Sequence, residues 1–260
     1  MQEKQIYLLR TKKIIIFDMD GTLTKSKIAV DIEMACLICQ LLDKKIVIIA
    51  SGADFPQINK QLFNYLKCAK TRFKNLFILP VNGGSLYKYQ VNKWQKVYEN
   101  ALLTKEKIKV FTAFKKALCD IYYIPPKKTY GKVIEERKSQ ITFSALGQKA
   151  TFIKKKEWNM KNDTRPQIRT ALKKYLPNFN IYITGTTSID ITKKGIDKAY
   201  GIRQIMKLLS VSKKEIVYVA ETFYKDDNNY VVKRAGVSCI KVKDQEETKT
   251  LIRLILLFLK

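Results

Sequence analysis

Residues 14–20 of the chain form an apolar run that ends at two carboxylates, Asp18 and Asp20, one residue apart. A short run of β-branched and aromatic residues is typical of a fully buried strand in a parallel sheet. A carboxylate at the end of such a strand is costly unless it is paired or bound to a metal. Ligands of open α/β sheets bind at the carboxyl ends of the strands. We therefore interpret Asp18 and Asp20 as a candidate site; the alternative is an ordinary Asp-Gly turn.

The sequence FDMDGTLT over residues 17–24 resembles the first motif, D-x-D-G-T, of the haloacid dehalogenase superfamily of phosphoryl-transfer enzymes. The resemblance implies that Asp18 attacks phosphorus as a nucleophile. It implies that Asp20 protonates the leaving oxygen and then activates water. It also implies a magnesium cofactor (Mg2+) that would hold the Asp18 carboxylate and the phosphate together.

The composition limits the other readings of the chain. Its 260 residues are 46% apolar, enough for a substantial core, and 50 Lys and Arg against 23 Asp and Glu give a net charge of +27. Because the lysines are spread along the whole chain, we expect them to attract a phosphorylated substrate rather than to mark a nucleic-acid binder. The absence of histidine excludes His-based triads and leaves acid–base chemistry to carboxylates, Lys, Tyr or Cys.

Five cysteines without a framework spacing indicate reduced thiols in a cytoplasmic protein. We interpret Cys36-x-x-Cys39 as buried cysteines of a helix over residues 28–42. The apolar stretch 251–259 is too short to span a bilayer and contains Arg253, so it predicts a closing helix and no membrane partner.

The second predicted strand, residues 45–50, ends at Ser51-Gly52, where the superfamily's second motif places a hydroxyl. The resemblance implies that Ser51 and nearby backbone amides, including that of Gly52, grip the transferring phosphate. A third strand over residues 76–80 leads to Asn82-Gly83, which resembles the hinge of the type IIB members. A hairpin follows, with predicted strands 85–89 and 93–98.

From about residue 89 to residue 180 the interleaving of strands and helices predicts an α+β insertion, which we interpret as a cap over the active site. Residues 134–148 resemble the cap strands of eukaryotic phosphomannomutases and of bacterial sugar-phosphatase-like hydrolases. There Arg137 matches a substrate arginine, although a surface residue paired with Glu135 is the alternative. Gln148 replaces a second, phosphate-binding arginine, and this loss favours a phosphatase over a mutase.

Residues 186–198 resemble the type IIB third motif, S-x-D-x-x-x-x-G-x-D-K. The resemblance implies that Lys198 neutralises the Asp18–phosphate pair and stabilises the transition state. It implies that Ser188 and Asp190 face sugar hydroxyls.

The fourth motif is altered. The family expects Gly-Asp and later Asn-Asp, whereas this chain has Ala220-Glu221 and Asn228-Asn229. The resemblance implies a metal site formed by Asp18, Asp20, Glu221 and Asn229. The longer Glu221 must fit a metal that tolerates little geometric error, and Asn229 drops a charge. Weakened magnesium binding, lost catalysis and a purely structural loop therefore stay open.

Together these features predict a doubly wound parallel α/β sheet, the Rossmann-like core of the superfamily, with an inserted α+β cap. The predicted core covers residues 1–86 and 187–260, and the predicted cap covers residues 87–186. The expected activity is Mg2+-dependent hydrolysis of a phosphomonoester, a sugar phosphate above all, through an aspartyl-phosphate. Three alternatives stay open: a phosphomannomutase-like isomerase, an inactive phosphosugar-binding relative, and a nucleic-acid binder. A homodimer is also left open.

Overall fold

A computed structural model describes residues 2–259, with side chains from residue 5 onward. Eleven strands are found in that part of the chain. They are β1 (Ile14–Asp18), β2 (Ile46–Ala50), β3 (Leu76–Leu79), β4 (Ser85–Gln90), β5 (Lys93–Glu99), β6 (Ile134–Glu136), β7 (Gln140–Ser144), β8 (Phe179–Thr184), β9 (Ser188–Lys193), β10 (Ile216–Ala220) and β11 (Ser238–Lys241).

Nine α-helices connect and cover these strands within residues 2–259. They are α1 (Gln2–Thr11), α2 (Ile32–Leu41), α3 (Phe55–Gln61), α4 (Thr104–Asp120), α5 (Phe152–Asn162), α6 (Arg165–Tyr175), α7 (Lys198–Leu209), α8 (Tyr230–Arg234) and α9 (Gln245–Phe258). None of the helices described is long and apolar enough to cross a membrane.

The larger sheet has seven strands in the order β11-β10-β1-β2-β3-β4-β5, and all neighbours from β11 to β3 are parallel. The first three residues of β1 are completely buried, as a strand covered on both faces requires. Helices α2 and α9 contribute to the apolar cluster on one face, and α7 and α8 to that on the other. The predicted doubly wound α/β core is confirmed, and the carboxyl ends of β1, β2 and β10 lie side by side.

The smaller sheet is antiparallel, in the order β6-β7-β9-β8. Its apolar face packs on α4, α5 and α6 through a separate core that includes Phe114, Phe143, Trp158 and Leu172. Helix α5 has no clear signal in the sequence, because that stretch is mostly polar: only Lys155 and Trp158 of α5 are buried.

Membership of the two sheets does not coincide with the predicted division at 86/87 and 186/187. The β4–β5 hairpin, placed almost entirely in the predicted cap, extends the larger sheet, and β9, placed in the predicted core, lies inside the smaller sheet. The difference at β9 has a simple cause. Residues 188–193 fit the family's third motif, but their polar and apolar side chains also alternate with the period of two that is typical of a strand.

The cysteine prediction is wrong in two respects. Cys39 and Cys68 form a disulfide with 5.8 Å between their Cα atoms, so the thiols are not all reduced. Cys36 is exposed, whereas Cys39 is buried as expected. The buried face of α2 is centred on Met34 and Ile38 rather than on Cys36. The partner of Cys39 comes from a distant segment, which spacing alone does not indicate.

Candidate active site

Asp18 and Lys198 form an ion pair at the carboxyl edge of the larger sheet. Asp18 is the last residue of β1, and Lys198 is the first residue of α7, where the Asp197 side chain caps the helix by accepting from the backbone N–H of Tyr200. Lys198 Nζ lies 2.8 Å from Asp18 Oδ1. The lysine side chain is completely buried, whereas that of Asp18 is 13% exposed. The Asp18 carboxylate therefore stands between a buried cation and the pocket.

Two further side chains complete this cluster. Asn229 Nδ2 donates to Asp18 Oδ2 at 3.0 Å, and Asn229 Oδ1 accepts from Lys198 Nζ at 2.7 Å. The hydroxyl of Tyr218 donates to the same Oδ1 at 2.6 Å. Burial, first of all, and the Asp18 charge raise the pKa of Tyr218 well above its ordinary value, so the phenol stays protonated. The oxygen of Asn229 thus accepts from two donors, which disfavours its predicted role as a metal ligand.

Asp20 lies beside Asp18 in the loop that follows β1. Its Oδ1 accepts from the backbone N–H of Lys27 at 2.9 Å. Desolvation raises the pKa of Asp20, and the neighbouring Asp18 charge adds to the rise. A carboxyl group whose proton is retained to higher pH is suited to proton transfer near neutrality.

Glu221 reaches the same edge of the sheet from the end of β10. Its backbone N–H donates to Thr22 Oγ1 at 3.0 Å. Its carboxylate lies over Gly21, where a Cβ atom would stand only 1.7 Å from Glu221 Oε2. Burial and then the Asp18 and Asp227 charges raise the pKa of Glu221. The predicted approach of Glu221 to the tip of β1 is therefore found in the structure.

The donors at this edge suit a divalent cation in charge and in type. Burial, first of all, and the Asp18 charge raise the pKa values of Asp20, Glu221 and Asp227, so this edge concentrates negative charge that a bound cation would offset. These carboxylates also offer oxygen ligands, as magnesium requires. As the side chains stand, no three acidic or thiol groups in the described part of the chain form a ready-made coordination cluster.

Ser51 and Gly52 follow β2, next to Asp18. Ser51 is 1% exposed and its Oγ accepts from the backbone N–H of Ala53 at 3.0 Å. Gly52 lies so close to the smaller sheet that a Cβ atom there would be 2.7 Å from Asp190 Oδ2. Its carbonyl accepts from Arg137 Nη1 at 2.9 Å. The second predicted motif therefore adjoins both sheets.

Asp190 is part of a buried hydrogen-bond network between the sheets. Asn82 Nδ2 donates to Asp190 Oδ2 at 3.0 Å, and Thr142 Oγ1 donates to Asp190 Oδ1 at 2.8 Å. Asn82 Oδ1 accepts in turn from Asn228 Nδ2 at 2.7 Å. Burial raises the pKa of Asp190, which is only 2% exposed. Because both of its oxygens already have partners, Asp190 is placed to join the two sheets, in addition to lining the pocket near Ser188.

Three cationic side chains surround Gln148, which also lines the pocket. Gln148 Oε1 accepts from Lys27 Nζ and, at 3.3 Å, from Arg137 Nη2, while the Gln148 carbonyl is 3.5 Å from Lys155 Nζ. Burial, followed by the Lys155 and Arg137 charges, lowers the pKa of Lys27 to about 7. Arg137 is also paired with Glu135 at 2.6 Å, as the alternative interpretation expected, but its side chain is only 6% exposed and is not on the surface. Such a cluster of cations favours binding of an anion.

Sequence reasoning missed Lys27, Lys155 and Tyr218. The lysines were hidden among 50 Lys and Arg residues, and Tyr218 lies within an apolar strand. The sequence does contain a signal for Tyr218, because a polar group in an otherwise apolar buried strand needs a hydrogen-bond partner.

One cavity of about 1020 Å³ brings most of the predicted side chains together. Lys198 is not at its surface, because it is buried behind Asp18. The predicted residues that line it are Asp18, Asp20, Ser51, Gly52, Arg137, Gln148, Ser188, Asp190, Glu221 and Asn229.

This fold and this arrangement of carboxylates define a phosphoryl-transfer type of site, and the family model agrees. The model of the haloacid dehalogenase-like hydrolases matches residues 15–219, so the chain belongs to that family. The chain is 27% identical over 199 residues to phosphomannomutase 2 of Dictyostelium discoideum, covering 74% of this chain and 76% of the relative. It is 29% identical over 203 residues to the phosphomannomutase of Encephalitozoon cuniculi, covering 75% of each.

Solved structures share the fold. The IMP-bound, N-terminally truncated IMP-nucleotidase of Plasmodium falciparum superposes with a TM-score of 0.75 at 19% identity, covering 97% of this chain and 70% of that chain. The trehalose-6-phosphate phosphatase of Aspergillus fumigatus superposes with a TM-score of 0.57 at 12% identity, covering 99% and 98%. The predicted assignment to the type IIB, phosphomannomutase-like members is confirmed by the family model and the phosphomannomutase relatives.

Proposed function

We propose that this protein is a Mg2+-dependent phosphomonoester hydrolase that acts on a sugar phosphate through an aspartyl-phosphate. One observation carries the proposal: the Asp18 carboxylate faces the pocket with one oxygen held by Lys198 and the other by Asn229, beside Asp20. A carboxylate fixed in this way is oriented for attack, and the ammonium offsets the charge that develops as phosphate approaches.

In the first step an Asp18 oxygen forms a bond to phosphorus while the bond from phosphorus to the ester oxygen breaks. Asp20, whose pKa is raised by desolvation, gives its proton to the departing alkoxide. In the second step the Asp20 carboxylate takes a proton from water. The water oxygen attacks phosphorus, the bond to Asp18 breaks, and inorganic phosphate leaves.

When magnesium is bound, it neutralises the phosphate and lowers its repulsion from the nucleophile. The residues that would hold it are Asp18, Glu221 and Asp227, together with Asp20 of the original prediction. Asn229 is left out because its oxygen accepts from Lys198 and Tyr218.

The cations around Gln148 support an anionic substrate, and the phosphomannomutase relatives support a phosphosugar. Gln148 also favours hydrolysis over isomerisation. A mutase must hold a distal phosphate while the sugar turns over, and an amide already engaged by Lys27 and Arg137 does this less well than a free arginine.

A panel of sugar phosphates, assayed for phosphate release with Mg2+ and with EDTA, tests the proposal. We expect metal-dependent release that Asp18→Asn abolishes and that Asp120→Asn leaves unchanged, since Asp120 only accepts from Tyr175 on the exposed surface of α4. Isomerisation of a hexose phosphate without phosphate release, dependent on a bisphosphate activator, would support the mutase alternative. Binding without turnover would support the inactive alternative.

A further inference from the structure

Tyr218 is a polar residue in an otherwise apolar position. It lies in the middle of β10, opposite Ile16 of β1, and its side chain is completely buried in a cluster that includes Ile16, Ile48 and Ala220. A buried hydroxyl in such surroundings is costly without hydrogen bonds. The partners of this hydroxyl in the described part of the chain are Lys198 and Asn229.

The hydrogen bonds of Lys198 leave no proton of its ammonium unused. Its three N–H groups donate to Asp18 Oδ1 at 2.8 Å, to Asn229 Oδ1 at 2.7 Å and to the Tyr218 hydroxyl at 3.1 Å. Three acceptors in three directions fix the position of an ammonium that would otherwise rotate freely. Tyr218 supplies the one acceptor that does not itself touch the Asp18 carboxylate.

The same hydroxyl and Lys198 together fix which way the Asn229 amide points. An amide has an acceptor end and a donor end, which can exchange by rotation. Because Tyr218 and Lys198 both donate, the Asn229 oxygen must face them, and Nδ2 is then directed at Asp18 Oδ2. A reversed amide would bring its own donor against two donors and its oxygen against a carboxylate.

We propose that Tyr218 is a positioning residue that fixes Lys198 and the Asn229 amide so that together they hold both oxygens of Asp18. The inference rests on the proposed function for its kinetic consequence, though not for its geometry. The phenol adds a second donor that holds the orientation of an asparagine at position 229, whose two ends differ; a carboxylate there, with two equivalent oxygens, needs no such orientation.

Crystal structures of the parent, Tyr218→Phe and Tyr98→Phe test the geometry. Tyr98→Phe is the matched control, because it also removes a phenol hydrogen bond, to the Gly83 carbonyl at 2.8 Å, and makes no contact with Lys198. In Tyr218→Phe we expect the bond between Asn229 Nδ2 and Asp18 Oδ2 to be lost, to beyond about 3.5 Å. Unchanged positions of Asn229 and Lys198 in Tyr218→Phe would overturn the inference.

Steady-state hydrolysis of p-nitrophenyl phosphate with Mg2+ tests the consequence. We expect Tyr218→Phe to lower kcat about tenfold with KM unchanged, and Tyr98→Phe to match the parent. In an Asn229→Asp background the same Tyr218→Phe change should cost less than about twofold, because a carboxylate needs no orientation. An equal loss in both backgrounds would overturn the inference, as would no loss in the parent.

The two proposals fail in different ways. If the parent shows no metal-dependent turnover, the proposed function fails, and the crystal structures alone decide the role of Tyr218. If Tyr218→Phe does not fold in the parent background, we expect the combination with Asn229→Asp to fold and keep the contact between position 229 and Lys198. Failure of that double variant to fold as well would assign Tyr218 to stability and overturn the inference.

Discussion

Replacing Lys198 with methionine removes the cation beside the proposed nucleophile while keeping the length of the side chain. Lys198 is completely buried and donates three hydrogen bonds, one of them to Asp18 Oδ1. In Lys198→Met the Asp18 carboxylate keeps only the Asn229 amide as a side-chain partner among the described residues. Both the charge that stabilises the transition state and the partner of a largely buried carboxylate are lost.

The structure sets the size of both effects. Loss of one preorganised donor to developing charge typically lowers kcat by about 10² to 10³, and Lys198 also carries a full charge, so we expect a loss of at least about hundredfold. Removing one partner of a buried ion pair costs about 3–5 kcal/mol. Because Asp18 is 13% exposed and keeps its hydrogen bond from Asn229, we expect a decrease in the free energy of unfolding near the lower end, about 3 kcal/mol.

Turnover of p-nitrophenyl phosphate and urea unfolding measure the two effects separately. Lys249→Met is the matched control, because Lys249 is also buried and paired with carboxylates, those of Asp31, Glu33 and Glu246, but does not line the pocket. We expect Lys249→Met to lose stability and keep its kcat. A kcat of Lys198→Met within about threefold of the parent would refute the assigned role, since a charge next to the transferring phosphoryl cannot be worth so little.

Three other perturbations have definite outcomes. The pKa of Lys27 is lowered to about 7. We therefore expect KM for an anionic substrate to rise as pH rises through about 7, and we expect Lys27→Met to remove this dependence. The free energy of unfolding should rise with pH above about 7, because there the unfolded chain binds the proton more tightly. Gly21 has a φ of +80°, and a Cβ atom there would meet the Glu221 carboxylate. Gly21→Ala should therefore lower the free energy of unfolding by about 1–3 kcal/mol and weaken the activation by Mg2+. An unchanged magnesium titration would count against the metal role of Glu221. Cys68→Ser removes the disulfide to Cys39, which joins residues 29 positions apart, and should lower the free energy of unfolding by about 3–4 kcal/mol. Urea unfolding measures this change. Cys119→Ser is the control, because it removes a free thiol and should have no effect.

The tip of β1 and its partner Lys198 could be predicted from the sequence for physical reasons. A buried strand that ends in carboxylates has few stable explanations, and a lysine in a spaced motif supplies the matching charge. Parallel strands bring their carboxyl ends to one edge, so the family motifs at Ser51 and Glu221 are expected at the same edge as Asp18.

The roles of Asn229, Asp190 and Tyr218 could not be predicted in this way. Each depends on which neighbour a polar atom meets across two sheets, and that information lies in distances rather than in spacing. Asn229 could serve a metal or a lysine with the same atom, and only its position against Lys198 and Tyr218 separates the two. The exposure of Cys36 could not be predicted for a related reason, because an almost wholly apolar helix such as α2 offers no periodicity that places its buried face.

The central claim, that Asp18 is the phosphoryl acceptor, is tested most directly by trapping the covalent intermediate. The parent and Asp20→Asn are mixed with a turned-over phosphomonoester and Mg2+, quenched in acid and digested, and the peptide that contains Asp18 is analysed by mass spectrometry. The account predicts a phosphoryl group on Asp18 that accumulates in Asp20→Asn, because water is no longer activated, and that is absent from Asp18→Asn. Turnover by Asp18→Asn would contradict the account. Phosphate release by the parent with the phosphoryl group found on another residue would also contradict it.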